Sequence, residues 1–259
     1  MSLLLTIDVG NTNTVLGIHA GAELRVHWRL TTRREQTADE YGILVRNLFA
    51  ASDIEPGHVA GVALASVVPP LTSVLVALSR QYLGQDPLVV EPGVRTGMPI
   101  LYEPPGDVGA DRIVNGVAAH AAHGGPVIVV DFGTATTFDV VTRKGEYLGG
   151  VICPGVGISA DALFQRAARL PRVDVRNPGR VIGRSTVGSM QAGLYFGYAA
   201  MVEGLLARIK AELGEPARVV ATGGLAESLA ADIPGIDLVD PVLTLTGLRL
   251  IWERNRPQA

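Results

Sequence analysis

Short apolar runs recur along the chain, each ended by a cluster of Gly, Asn, Asp or Thr. Leu3 to Ile7 and Val127 to Val130 are uninterrupted runs that predict buried strands, and Val15 to Ile18 and Phe138 to Val141 follow at hairpin distance as returning strands. In the first half a strand around Leu24 to Leu30 precedes a helix opening at Thr37-Ala38-Asp39-Glu40, where Thr and Glu three apart spell a capping box. Val59 to Val67 then predicts a strand, Pro70 to Tyr82 a helix and Leu88 to Val90 another strand. The second half repeats the order, with a strand over Glu146 to Val151, helices near Ser159 to Ala168 and Val187 to Leu213, and a strand at Val219. This alternation predicts an α/β protein in which one unit is used twice. The joint is placed in a helix from Asp111 to His123 that stops at Gly124-Gly125, giving lobes of 1–117 and 118–259.

The two hairpins carry nearly the same turn. Asp8-Val9-Gly10-Asn11-Thr12-Asn13-Thr14 is matched by Asp131-Phe132-Gly133-Thr134-Ala135-Thr136-Thr137. Gly with Asn and Thr leaves backbone N–H groups and small hydroxyls pointing outward, which suits the oxyanions of a polyphosphate, and one Asp per turn suits a cation. Asp, Asn and Gly also populate hairpin turns for local reasons alone. The repetition about half a chain apart, with strands on both sides of each copy, is what points to phosphate. Two such turns facing across a cleft would grip a nucleoside triphosphate, as in the actin and hexokinase superfamily, so the chain resembles a two-lobed, actin-like (ribonuclease H-like) phosphotransferase. A third element, Val219-Val220-Ala221-Thr222-Gly223-Gly224 before Leu225 to Leu229, reads as strand, glycine pair and helix. It either lets backbone approach a flat ligand such as adenine or makes a plain tight turn.

Composition narrows the chemistry. At 259 residues, 47% hydrophobic and 18% charged with net charge −3, the chain is an ordinary globular protein with no field that would draw nucleic acid or an anionic membrane. The apolar stretch from Gly61 to Leu78 is broken by Pro69-Pro70, and Leu3 to Ile7 is too short for a signal-peptide core, so a cytoplasmic location without membrane attachment is expected. The single cysteine, Cys153, is expected to be a small buried apolar residue. Lys144 and Lys210 are the only lysines and neither lies in a glycine-rich loop, which excludes the P-loop and protein-kinase mechanisms. Phosphoryl transfer would then rely on backbone amides, hydroxyls, carboxylates, a metal ion and arginine.

Between the two turns lies Tyr102-Glu103-Pro104-Pro105-Gly106-Asp107-Val108-Gly109-Ala110-Asp111-Arg112. Asp111 and Arg112 at the mouth of a helix put an acceptor carboxylate and a planar cation where the helix dipole favours anions. The alternative is that Asp111 is only a helix cap and Arg112 a surface residue. The helix from Thr186 to Leu213 contains Gly188, Gly193, Gly197 and Gly204, at a cost of about 1 kcal/mol each relative to Ala, which suggests close approach of another backbone, within the chain or from a second subunit. His120 and His123 are read as helix-terminal charge rather than zinc ligands, Asp39 and Glu40 as first-turn helix residues, and Arg166, Arg169 and Arg172 as solvated or interface residues.

Taken in order, Ile7-Asp8-Val9-Gly10-Asn11-Thr12, Thr37-Ala38-Asp39-Glu40-Tyr41, Ser66-Val67-Val68-Pro69, Val108-Gly109-Ala110-Asp111-Arg112, Asp131-Phe132-Gly133-Thr134, Tyr147-Leu148-Gly149-Gly150, Ile182-Gly183-Arg184-Ser185-Thr186, Ala221-Thr222-Gly223-Gly224 and Leu245-Thr246-Gly247-Leu248 resemble the type III pantothenate kinases over essentially the whole chain. The resemblance implies ATP-dependent phosphorylation of pantothenate, the first step of coenzyme A biosynthesis. It implies that Asp8, Val9, Gly10, Asn11, Thr12, Asn13, Thr14 and Val15 form the first ATP phosphate loop, with Asp8 near Mg²⁺, and that Thr134 contacts phosphate from the second. Asp131 would bind a monovalent cation, K⁺ or NH₄⁺, and Asp111 would be the general base. Tyr102, Gly109, Ala110, Asp111, Arg112 and Thr186 would hold pantothenate. The chain departs from the family pattern at Pro104, where asparagine is usual, at Arg95, where lysine is common, and at Ser185, where asparagine is common. A sugar kinase on the same scaffold, or a regulator like the Bvg accessory factor, is the competing reading, and a homodimer is expected with pantothenate near its interface.

Overall fold

The structure, a computed structural model, describes residues 2–256 and divides into two units, one formed by the chain up to Ala118 together with the segment from Leu243 onward, the other by Ala119–Val242. In the first unit β1 (Leu3–Val9), β2 (Asn13–Ala20) and β3 (Glu23–Thr31) form an antiparallel meander. After α1 (Ala38–Ala50), β4 (Val59–Ser66) adds parallel to β1, and after α2 (Pro69–Leu83) the two-residue β5 (Leu88–Val89) adds to β4. The sheet order is β3-β2-β1-β4-β5. The expected capping box is present: the Thr37 hydroxyl accepts the Glu40 N–H and the Glu40 carboxylate accepts the Thr37 N–H, which holds the Glu40 carboxyl below its ordinary pKa. Asp39 in the same turn accepts the Tyr82 hydroxyl at 2.8 Å, joining α1 to α2.

β1 is buried on both faces, which is why its sequence is a continuous apolar run. Leu3, Leu5, Ile7 and Val9 pack with Tyr41, Val45, Phe49, Leu71, Leu75 and Leu78 from α1 and α2. Leu4, Thr6 and Asp8 alternate onto the other face.

After α3 (Ala110–His123), the second unit repeats the plan. β6 (Val127–Phe132), β7 (Ala135–Val141) and β8 (Tyr147–Pro154) form the meander, followed by α4 (Val156–Arg166) and α5 (Thr186–Leu213). Then β9 (Arg218–Thr222) joins β6 in parallel, and α6 (Ala226–Ala230) leads to β10 (Leu238–Val239) beside β9. The order, β8-β7-β6-β9-β10 when written from the same edge, matches that of the first sheet position for position. Leu194, Tyr195, Ala199, Val202 and Leu206 form the buried stripe of α5 against Ile128, Val130, Phe138 and Val219. The Tyr195 hydroxyl donates to Asp232 and to the Ser228 carbonyl, and burial followed by the Asp232 carboxylate pushes its pKa up to about 12. Cys153, expected to be buried, is half-buried at the edge of this core. Among the described residues no helix is long and apolar enough to cross a membrane.

The last helix, α7 (Leu243–Asn255), corrects the expected lobe of 118–259, because it groups with the first unit. Its sequence neighbours do not decide its partner; small residues on the first sheet do. A Cβ on Gly17 would meet Leu245, one on Gly61 would strike the Trp252 indole, and one on Gly247 would strike the Val114 carbonyl of α3. Under α7 lies a buried polar pair: the Thr6 hydroxyl donates to the Gly17 carbonyl and so accepts from His19 Nε2 at 3.2 Å, fixing the tautomer. Burial, then the nearby Arg249 guanidinium, lowers the His19 pKa from 6.5 to about 4. The unfolded chain therefore binds a proton that the folded chain refuses between pH 6.5 and 4, and stability falls as pH drops through that window, by at most about 1.4 kcal/mol per pH unit. Denaturant titrations at pH 7 and pH 5 should show a larger loss for the wild type than for His19→Gln; equal losses would contradict this.

Candidate active site

The first hairpin turn is braced from behind. Gly10 N–H bonds the Asn13 carbonyl at 2.9 Å, and a Cβ at Gly10 would lie 3.2 Å from that oxygen, so a side chain there would crowd the tight turn. Thr32, just past β3, holds it twice: its hydroxyl donates to the Gly10 carbonyl at 2.8 Å and its N–H to the Thr12 carbonyl at 2.9 Å. The Thr14 hydroxyl meets the same Thr32 oxygen at 3.0 Å, and Arg34 donates to the Asn11 side chain at 2.9 Å. With these carbonyls engaged behind it, the turn offers N–H groups and the exposed Asn11 and Thr12 side chains to an anion. Val9 and Thr14 are buried, so within the stretch 8–15 those two could offer a ligand only backbone. The sequence reading missed Thr32 and Arg34; a Thr pair ending the third strand was the available signal.

Asp8, the penultimate residue of β1, is half-buried, and the Val9 carbonyl beside it accepts the Val67 N–H at 3.0 Å. Val67 also lies against Gly109, where a Cβ would sit 3.7 Å from its methyl group. The start of α3 is thereby held at the same end of the first sheet as Asp8. Asp111 is the second residue of α3 rather than its cap, and its Oδ1 accepts the Arg112 N–H at 2.8 Å. A Cβ on Gly109 would lie 2.5 Å from that oxygen, so glycine there admits the folded-back carboxylate. Arg112 is 8% exposed, which overturns the surface-residue alternative. Further along α3 the buried Asn115 side chain accepts the Thr244 hydroxyl at 2.7 Å, so the chain's last helix fixes the helix that carries Asp111. Tyr102 is half-exposed in the irregular segment before α3.

In the second unit Gly133 N–H bonds the Ala135 carbonyl at 3.0 Å, and Gly155, the residue before α4, donates to the Thr134 carbonyl at 3.1 Å. Thr134 is exposed at the tip. Asp131 is half-buried and pairs in register with Thr137 on β7 and Thr222 on β9. Gly223 has φ +95°, and a Cβ there would strike Asp131 Oδ1, so this glycine makes room for the carboxylate. Thr186 opens α5 exposed, behind the Ser185 cap, and lines a groove of ≈ 580 Å³ with Leu163, Leu170, Ser189, Met190, Gly193 and Leu194. At Gly188 the close approach comes from within the chain, since a Cβ there would lie 3.8 Å from the Gly183 Cα, whereas among the described residues nothing comes within 4 Å of a Cβ built at Gly193, Gly197 or Gly204. His120 bonds the Arg143 carbonyl, as befits a helix end, and no group of three metal-ligating side chains occurs among the described residues. A divalent ion carried by nucleotide phosphates needs one or two protein carboxylates and no such cage; Asp8 fits that demand. Asp131 between two hydroxyl-bearing residues is an all-oxygen donor set of low charge, which fits a hard monovalent cation.

The sequence model of the type III pantothenate kinases matches residues 4–208. The chain is 58% identical over 253 residues to the type III pantothenate kinase of Moorella thermoacetica, covering 98% of this chain and 100% of that one. The chain belongs to the type III pantothenate kinase family. Among solved structures it resembles a Campylobacter jejuni protein described as a Baf family transcriptional activator, with TM-score 0.61 and 20% identity over 97% of this chain and 98% of that one. It also resembles the polyphosphate/ATP-glucomannokinase of Arthrobacter sp. strain KM, with TM-score 0.52 and 15% identity over 98% and 100% of the two chains. These likenesses show the fold, the two-lobed actin-like α/β architecture that this family shares with sugar kinases. In this family member the Thr32 brace predicts a specific behaviour: Thr32→Val removes two hydrogen bonds to the turn, so amide exchange at Asn11–Asn13 should quicken by about tenfold or more while exchange in β6 is unchanged. Unaltered exchange at Asn11–Asn13 would show that the turn does not depend on Thr32.

Proposed function

We propose that the protein transfers the γ-phosphoryl group of ATP to the 4′-hydroxyl of pantothenate, the first step of coenzyme A biosynthesis. The observation that carries this is the Asp111 carboxylate, set in the first turn of α3 by Gly109 and the Arg112 amide, in a chain that retains the family's Gly109-Ala110-Asp111-Arg112 intact. Asp8, Val9, Gly10, Asn11, Thr12, Asn13, Thr14 and Val15 supply the first ATP phosphate turn, Val9 and Thr14 through backbone alone, and Thr134 contributes a hydroxyl from the second. Tyr102, Gly109, Ala110, Arg112 and Thr186 hold pantothenate, with the buried Arg112 guanidinium offering a planar donor fork for its carboxylate.

Asp111 takes the proton of the acceptor hydroxyl as its oxygen bonds to the γ-phosphorus, and the bond to the bridging oxygen breaks to release ADP. In a loose phosphoryl-transfer transition state the proton moves late and most catalysis is positioning, so an ordinary carboxylate suffices. Mg²⁺, held near Asp8 with the nucleotide, and K⁺ or NH₄⁺ at Asp131 would neutralise phosphate charge that the lysine-poor chain does not. A cytoplasmic location goes with this reading, ATP being the donor. The substrate surface extends to a second copy: the open glycine face of α5, continuous with the groove below Thr186, is the face we assign to a homodimer.

Asp111→Asn should leave ATP binding nearly intact while turnover falls by ~10²–10⁴-fold, measured by isothermal titration and a coupled ADP assay; retained turnover would reduce Asp111 to a structural residue. Gly197→Leu should lower dimer content in light scattering and weaken pantothenate binding together. A fully active wild-type monomer would refute the dimer, and loss of dimer at unchanged pantothenate affinity would separate interface from site.

A further inference from the structure

Asp139 on β7 has no exposed surface, and the proton transfer makes no use of it. Both its oxygens accept hydroxyl donors: Tyr147, itself wholly buried on β8, donates to Oδ1 at 2.8 Å, and Thr137 donates to Oδ2 at 3.0 Å. Burying a carboxylate is costly unless such bonds repay it. What this cluster does is visible from the sheet register. Thr137 stands directly opposite Asp131, on the same sheet face, and such opposed residues have Cβ atoms about 4.5–5.5 Å apart. Thr137 has one hydroxyl proton and two lone pairs. Left to itself it would donate to the Asp131 carboxylate and occupy the oxygen a cation needs. With its proton committed to Asp139, it can show Asp131's surroundings only lone pairs.

We propose that Asp139 is a positioning residue of the cation site: held by Tyr147, it takes the Thr137 proton and so makes the Thr137 oxygen a second protein donor to a monovalent cation beside Asp131. This rests on the reading of Asp131 as the cation's ligand. The hard cation gains an all-oxygen setting, and Gly223, whose missing Cβ leaves the Asp131 carboxylate its place, completes the row with Thr222.

The test measures K⁺ directly as well as through activity. Melting midpoints are recorded against K⁺ concentration at constant ionic strength in choline chloride, with a non-hydrolysable ATP analogue present, for wild type, Thr137→Val, Thr137→Ser, Asp139→Asn and Tyr147→Phe. The K⁺ needed for half-maximal turnover is recorded in parallel. Thr137→Val and Asp139→Asn should each raise the half-saturating K⁺ concentration by about tenfold in both readouts, the loss of one hydrogen-bonded donor at a charged site. Thr137→Ser, which keeps the hydroxyl, should stay within about twofold of wild type, and Tyr147→Phe should fall between. If Asp139→Asn does not fold, Thr137→Val against Thr137→Ser decides. A wild-type K⁺ response that persists unchanged in folded Thr137→Val overturns the positioning role alone. A wild type with no K⁺ response in either readout overturns it together with the cation reading.

Discussion

Both units depend on a tight antiparallel hairpin at the end of a doubly buried strand, held from behind so that its amides face outward. In the first, Thr32 takes the Gly10 and Thr12 carbonyls out of play. In the second, Gly155 at the start of α4 takes the Thr134 carbonyl. The braces come from different elements, a strand end in one unit and a helix start in the other, yet each does the same electrostatic work. A turn with its carbonyls engaged presents net positive partial charge at no cost in side-chain charge. That explains how a chain with only two lysines can be built to handle phosphate. Each carboxylate, Asp8 and Asp131, sits one step back in its strand, half-buried.

Much of this was legible in the sequence because it is local chemistry. The hairpins follow from Gly10 and Gly133 between apolar runs, and the start of α1 from Thr37 and Glu40. What the sequence hid was long-range. The α7 stripe of Leu245, Leu248 and Ile251 has helical spacing, but nothing adjacent says that it packs on the first sheet; Gly17 and Gly61 say so only once the strands are side by side. The burial of Arg112 was equally invisible, since an Asp-Arg pair opening a helix is usually wet. Asp139 and Tyr147 meet because the β7–β8 register shifts between Val140 and Val141, where Gly149 takes φ +130°; the Gly149-Gly150 pair hints at a bulge but not at which residues it brings together. The glycines of α5 were visible as an anomaly, and the structure divides them: Gly188 is met by the Gly183 backbone, while Gly193, Gly197 and Gly204 face open space.

Fold alone would not separate a kinase from a regulator. The actin-like architecture is shared with a protein described as a transcriptional activator and with a glucomannokinase, both at 20% identity or less. The separation lies in side chains that a binding protein would have no need to keep: a carboxylate at each hairpin, and Asp111 folded over its own helix start, where a Cβ on Gly109 would lie 2.5 Å from its Oδ1. Asp111 lies in the first unit, in a helix start supported from distant parts of the sequence at once, through Val67 on one side and Thr244 on the other.

The most direct measurement offers the purified protein ATP, Mg²⁺ and K⁺ with pantothenate or with each of a panel of hexoses, and identifies products by phosphorus NMR and mass spectrometry. The account predicts one new phosphomonoester, formed from pantothenate alone, with phosphorus coupled to the methylene protons of the primary hydroxyl and one ADP released per product. Phosphorylation of a hexose in preference to pantothenate, or no ADP release with any acceptor, would contradict it.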